Sequence, residues 1–98
     1  MADDRYEIRL APAAARAFKR LPAEVGERVR GALRAQAERA ARGSGGKTVK
    51  AIRGRADRFF RLRVGDYRVM YDLIDDERTL LVLGIVHRRD LERWLRAR

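Results

Sequence analysis

Arg61, Arg63, Arg68, His87, Arg88 and Arg89 are the residues whose types and spacing can do chemistry in this chain. Arg61 and Arg63 alternate within FRLRV (60–64), Arg68 opens the apolar stretch after Gly65-Asp66, and His87-Arg88-Arg89 closes the stretch that ends at Val86. Alternate residues of a strand share a face, so Phe60, Leu62 and Val64 turn one way while Arg61 and Arg63 turn the other with Phe59 beside them. A two-residue turn at Gly65-Asp66 brings Arg68 next to them, and the following strand ends at His87. Like charges on facing strands repel, so the grouping is unfavourable unless something anionic binds there. Arginines on a solvent face ordinarily do no more than keep a protein in solution, and Asp66, Asp72, Asp75 and Asp90 are at hand to neutralise several by weak surface pairs. What marks a site is the constellation of Arg61, Arg63, Arg68 and Arg89, not any one of them.

A guanidinium presents a planar fork that holds two phosphate oxygens at once. RNA carries its own nucleophile, the ribose 2′-hydroxyl adjacent to each phosphate. Cleavage by that hydroxyl needs a base to take its proton, cations on the developing phosphorane and an acid for the leaving 5′-oxygen. The arginines supply the cations. His87, the single histidine, is of the type that titrates near neutrality and is the candidate base, and no clear acid stands out. There is no cysteine, which excludes thiolate nucleophiles and thiolate metal sites and leaves a metal only carboxylates amid heavy positive charge. No metal and no cofactor are expected.

Lys and Arg number 24 against 14 acids, a net charge of +10 over 98 residues. A field of that sign draws a polyanion or an acidic partner protein, although an arginine-rich genome would produce the same composition. The opening MADDRYEIRL lacks the apolar stretch of a secretory signal, and LLVLGIV (80–86) is far too short to cross a bilayer as a helix. The expectation is a soluble cytoplasmic protein with no membrane partner, organised as a single domain over 1–98.

These side chains need a scaffold, and the periodicity supplies one. RYEIRL (5–10) alternates as a half-buried strand. Pro12 and Pro22 each suit the start of a helix, predicting one over about 12–20 and a longer one after 22 whose stripe runs Val25, Val29, Leu33 or Ala32, Gln36 or Ala37, and Ala40. GSGG (43–46) ends it. KTVKAI (47–52) reads as a short edge strand, RFFRLRV (58–64) alternates cleanly, YRVMYDLI (67–74) less so, and TLLVLGIV (79–86) is apolar on both faces. Turns at Arg53–Asp57, Gly65-Asp66 and Asp75–Arg78 separate them. HRRDLERWLRAR resumes helical spacing with Leu91, Trp94 and Leu95 on one side. The fold expected is α+β: an N-terminal strand, an antiparallel two-helix hairpin, a three- or four-stranded antiparallel meander and a short C-terminal helix.

FKRLP (18–22), K-x-I-R-G (50–54), FFRLRVGDYRVMYDLIDD (59–76) and HRRD (87–90), in that order over nearly the whole chain, resemble the RelE/ParE superfamily of toxins from type II toxin-antitoxin systems, the RelE branch in particular. The resemblance implies a RelE-like fold, a cognate antitoxin that wraps the protein and blocks its basic face, and metal-independent endoribonuclease activity on mRNA in the ribosomal A site, close to rRNA. It places the active-site cations at Arg61, Arg68 and Arg89, a further basic position at Arg63, and RNA or phosphate contacts at Arg88, Lys50 and Arg53. Two features depart from the pattern. Glu92 stands where many RelE-branch members have tyrosine in HRRxxYR, and Phe59 occupies a further basic position. Glu92 can serve as a base within one helical turn of Arg88 and Arg89, yet an acid in the first turn of a helix is favoured by the dipole alone. Two other functions fit the same fold. One is ParE-like inhibition of DNA gyrase by contact. The other is a toxin without catalysis, kept as antitoxin partner and co-repressor in a complex that binds operator DNA through the antitoxin.

Overall fold

The computed structural model describes residues 5–43 and 59–98. The expected strand at 47–52, the turn at 53–57 and the candidates Lys50 and Arg53 lie outside the described residues. In chain order the elements are β1 (Glu7–Leu10), α1 (Pro12–Arg20), α2 (Ala23–Ala41), β2 (Phe60–Val64), β3 (Tyr67–Ile74), β4 (Thr79–His87) and α3 (Leu91–Arg96). Short 3-10 turns at Asp75–Glu77 and Arg88–Asp90 bracket β4.

Both α1 and α2 begin where a proline directs. Pro12 is the first residue of α1, where its missing N–H has no intrahelical partner to lose. Lys19 and Arg20 occupy the last turn of α1, where cations complement the helix dipole. Leu21 and Pro22 alone link α1 to α2, and Phe18 of α1 lies against Gly26 and beneath the Arg30 guanidinium of α2. The α2 helix ends at Ala41, and Gly43 (φ +80°) donates its N–H to Ala40 O at 2.9 Å. That left-handed conformation is why glycine stands there.

The sheet order is β1-β4-β3-β2. The β2–β3–β4 part is the expected meander, with β2 antiparallel to β3 and β3 to β4. The first strand joins it in parallel, Glu7 opposite Thr79 through Leu10 opposite Val82, a placement its local pattern could not disclose. β4 is therefore interior to the sheet. This accounts for an apolar run with no polar alternation, since a central strand covered on both faces has no solvated side.

One register irregularity sets the faces of β4. Met70 pairs with Gly84 but Tyr71 pairs with Val82, leaving Leu83 as an extra residue on β4. The bulge lets Val82 and Ile85, three apart, share one face. On that face Val69, Tyr71, Leu80, Val82 and Ile85 pack with Ala14 of α1 and Val29, Leu33, Ala37 and Ala40 of α2. The stripe read from α2 is the buried one. The helix α3 packs on the opposite face, where Trp94 lies directly over Gly84: a Cβ on Gly84 would run into the indole at Trp94 Nε1. No helix among the described residues is long and apolar enough to cross a membrane.

Candidate functional site

Register places Arg61, Arg63 and Arg68 on the face opposite α1 and α2. Cross-strand partners there form two adjoining rows: Arg61 beside Met70 beside Gly84, and Arg63 beside Arg68 beside Val86. The first row runs under Trp94, and Met70 is fully buried within it. The second row is open. Arg63 and Arg68 are directly opposed Cα partners across β2 and β3, which is an unfavourable pairing in the absence of a counter-ion.

The carboxylates that the sequence offered for neutralisation are engaged elsewhere. Asp66 lies 3.7 Å from Arg88 Nε, and Asp90 lies 3.5 Å from Arg93. Asp75 accepts from the Tyr6 hydroxyl at 2.9 Å, and Asp72 accepts from Leu73 N–H at 2.8 Å. Among the described residues, no acid stands within ion-pair distance of Arg61, Arg63, Arg68 or Arg89. Arg68 is nonetheless fixed in place. Its Nη1 donates to Gly65 O at 3.1 Å and to Tyr67 O at 2.9 Å, which leaves Nε and Nη2 to meet a ligand. Gly65 adopts φ +59° in this turn, a conformation that favours glycine and aims the carbonyl at Arg68.

A wall of aromatic side chains borders the arginines. Phe59 and Trp94 meet edge to face at 5.5 Å, and Arg98 stacks on both rings, at 5.3 and 4.9 Å. Phe59 thus stands in the site region with a structural partner of its own, and Trp94 is a feature that helical spacing assigned only to packing. Gly84 in the middle of an apolar strand was the available signal, since such a glycine marks a close approach.

The structure separates His87, one of the two candidate proton carriers, from this face. His87 pairs with Tyr67 in register, and the two rings contact at 5.3 Å. Tyr67 and Ile85 belong to the side that packs against the helices, so the His87 ring lies on that side and not among the arginines. His87 Nδ1 accepts the Arg89 N–H at 3.2 Å. Glu92 is 88% exposed and pairs with Arg96 at 3.8 Å along α3. Arg28 is a cation that sequence reasoning passed over. Its guanidinium lies over Gly65, 3.3 Å from where a Cβ would be, and nothing in its local sequence signals that contact. Among the described residues, no three His, Cys, Asp or Glu side chains gather into a metal-binding group.

A family model for the ParE toxin of the type II toxin-antitoxin system parDE matches residues 8–92. The chain belongs to the ParE toxin family. It is a toxin of type II toxin-antitoxin systems, within the RelE/ParE superfamily. Among curated proteins, no sequence relative matches the toxin. Solved structures do. RelE in the intact RelBE toxin-antitoxin complex of E. coli superimposes with TM-score 0.56 at 22% identity, covering 84% of this chain and 95% of that one. The RelBE2 complex of Mycobacterium tuberculosis gives 0.52 at 24% identity over 85% and 98%. The archaeal RelE-RelB complex of Pyrococcus horikoshii gives 0.56 at 20% over 86% and 96%. At these identities the likeness establishes the shared fold. The toxin accordingly has the α+β RelE-like architecture expected of it, from the N-terminal strand to the terminal helix.

Proposed function

We propose that this toxin is a ribosome-dependent endoribonuclease that cleaves mRNA by attack of a ribose 2′-hydroxyl on the adjacent phosphate, and so stops translation. The observation that carries the reading is the opposed Arg63–Arg68 pair, flanked by Arg61 and left without a carboxylate among the described residues. A phosphodiester supplies the missing negative charge, and guanidinium forks stabilise the phosphorane more than the ground state because charge grows on its equatorial oxygens. In this mechanism Arg61, Arg68 and Arg89 hold the scissile phosphate and Arg63 supports them, with Arg88, Lys50 and Arg53 on the flanking backbone. Of the two proton carriers that the sequence offers, His87 and Glu92, the mechanism uses Glu92, whose carboxylate is exposed on α3. The Phe59–Trp94 wall offers a ring face to a neighbouring base, which stacks without regard to its identity.

RelE relatives have been solved in complex with RelB antitoxins. By extension, a cognate antitoxin covers the basic face of this toxin in the cytoplasm and, as the DNA-binding partner, carries it to operator DNA.

Primer extension on cellular mRNA after brief induction tests the proposal beside Arg68→Ala. Discrete cuts inside translated frames, absent in the variant and when translation is blocked, are expected. Wild-type cutting by Arg68→Ala would remove Arg68 from the mechanism. A second reading, inhibition of DNA gyrase by contact, is favoured by the ParE family match and by the position of His87 on the helix side of the sheet, away from the arginine row. Intact messages together with broken DNA and an induced damage response would select it.

A further inference from the structure

Where β4 ends, two consecutive backbone donors find partners outside the turn they begin. Arg88 N–H donates to Asp66 O at 2.7 Å, tying it to the β2–β3 hairpin, and Arg89 N–H donates to His87 Nδ1 at 3.2 Å. His87 is the residue preceding the 3-10 turn Arg88–Asp90, in extended conformation (φ −66°, ψ 148°). This is the position and geometry from which a side-chain acceptor caps the free N–H groups of a first turn. Its ring is held by the Tyr67 edge contact.

The hydrogen bond has a chemical consequence. A neutral imidazole has one nitrogen with a lone pair and one with a hydrogen. With Nδ1 accepting from Arg89, the hydrogen is on Nε2, so the ring has no lone pair left to take a proton from a ribose hydroxyl. The ring also lies on the helix side of the sheet, away from Arg61, Arg63 and Arg68.

We infer that His87 is a positioning residue: its Nδ1 fixes the backbone of Arg89, and thereby the reach of the Arg89 guanidinium toward the anion, and it takes no proton from the target. The inference rests on the reading of the arginine face as the working surface. It reassigns His87 within that surface from base to support.

Replacements separate the two roles. His87→Asn keeps a short acceptor, Oδ1, close to where Nδ1 stands, and asparagine is among the best capping residues. His87→Phe keeps the ring and its Tyr67 contact without an acceptor. Loss of a cap of ordinary strength is expected to weaken toxicity about fivefold, read as the inducer level needed for growth arrest. His87→Asn restores arrest to near the wild-type level. Because His87 acts through Arg89, His87→Phe adds nothing further on an Arg89→Ala background. Equal loss in His87→Asn and His87→Phe, or full additivity with Arg89→Ala, would overturn the inference. Long-range ¹H–¹⁵N spectra of the purified toxin read the tautomer directly: an Nε2-bound hydrogen near neutral pH is expected, and an Nδ1-bound one refutes the cap. Growth arrest and the tautomer both register whichever target the face grips. Intact mRNA in the wild type would therefore overturn only the nuclease reading.

Discussion

The two faces of the sheet solve opposite problems with the same strands. On the face toward α1 and α2, β3 and β4 present Val69, Tyr71, Leu80, Val82 and Ile85, and polar groups are matched within the protein: Gln36 Nε2 donates to the Tyr71 hydroxyl at 2.6 Å, and Tyr6 donates to Asp75. On the other face the row under Trp94 is closed, and the neighbouring row sets Arg63 against Arg68 with no carboxylate among the described residues within ion-pair distance of either. One face minimises its free energy alone. The other is left at a higher free energy that a bound anion would lower, which is the condition expected of a recognition surface and not of a scaffold.

Deleting volume from the covered face should have the largest effect on stability. Leu80 is fully buried among helix and sheet side chains, and Leu80→Ala is expected to lower stability by about 2–5 kcal/mol in urea denaturation. A loss below about 1 kcal/mol would show that this face is not a close-packed core.

The row beneath Trp94 gives an intermediate effect. Gly84→Ala places a methyl group into the indole, a contact no side chain tolerates, so α3 must shift. Overpacking of this kind costs about 1–3 kcal/mol. Trp94 is the single tryptophan, so its fluorescence reports the displacement directly. An unchanged emission maximum would place the indole elsewhere.

Buried hydroxyls sharpen the contrast through pH. Burial pushes the Tyr71 phenol above its ordinary value of 10.0, opposed by the Gln36 hydrogen bond and the Arg39 charge. Tyr6 is raised by burial, and further by its bond to Asp75 and that carboxylate's charge. Both phenols therefore ionise more readily in the unfolded chain. Their contribution to stability is complete below about pH 10 and is lost as pH rises through the raised folded values. Denaturation midpoints in urea should hold from pH 8 to near 10 and then fall. Tyr71→Phe should fall less steeply above pH 10, while losing about 1 kcal/mol at pH 8 with the Gln36 bond.

Much of the covered face was legible in the sequence because periodicity is written locally. The α2 stripe at Val29, Leu33, Ala37 and Ala40, the proline starts and the β2–β3 hairpin all follow from spacing within a few residues. The parallel pairing of β1 with β4 was not, since Glu7 and Thr79 are partners across most of the chain. Nor was the bulge at Leu83, because an apolar run carries no mark of a register shift. The arginine row was legible because alternation and one short turn fix its register. His87 was assigned by residue type alone, and type does not disclose that its Nδ1 is already occupied by the next turn.

The smallest change in stability should accompany the greatest loss of function. Arg63 is exposed, and its cross-strand partner is another cation. Truncating it removes no core contact and relieves the repulsion felt by Arg68, so Arg63→Ala should remain within about 0.5 kcal/mol of wild type. Its toxicity should nevertheless fall, because one of the forks that hold the anion is gone. Addition of a short single-stranded RNA should raise the melting temperature of the wild type and raise that of Arg63→Ala less, since a ligand that binds only the folded state stabilises it in proportion to its affinity. Equal shifts in the two proteins would mean that the opposed arginines tolerate their repulsion for some reason other than gripping RNA. The unfavourable pairing would then have to be explained by a protein partner, with gyrase and the antitoxin as the surfaces to test.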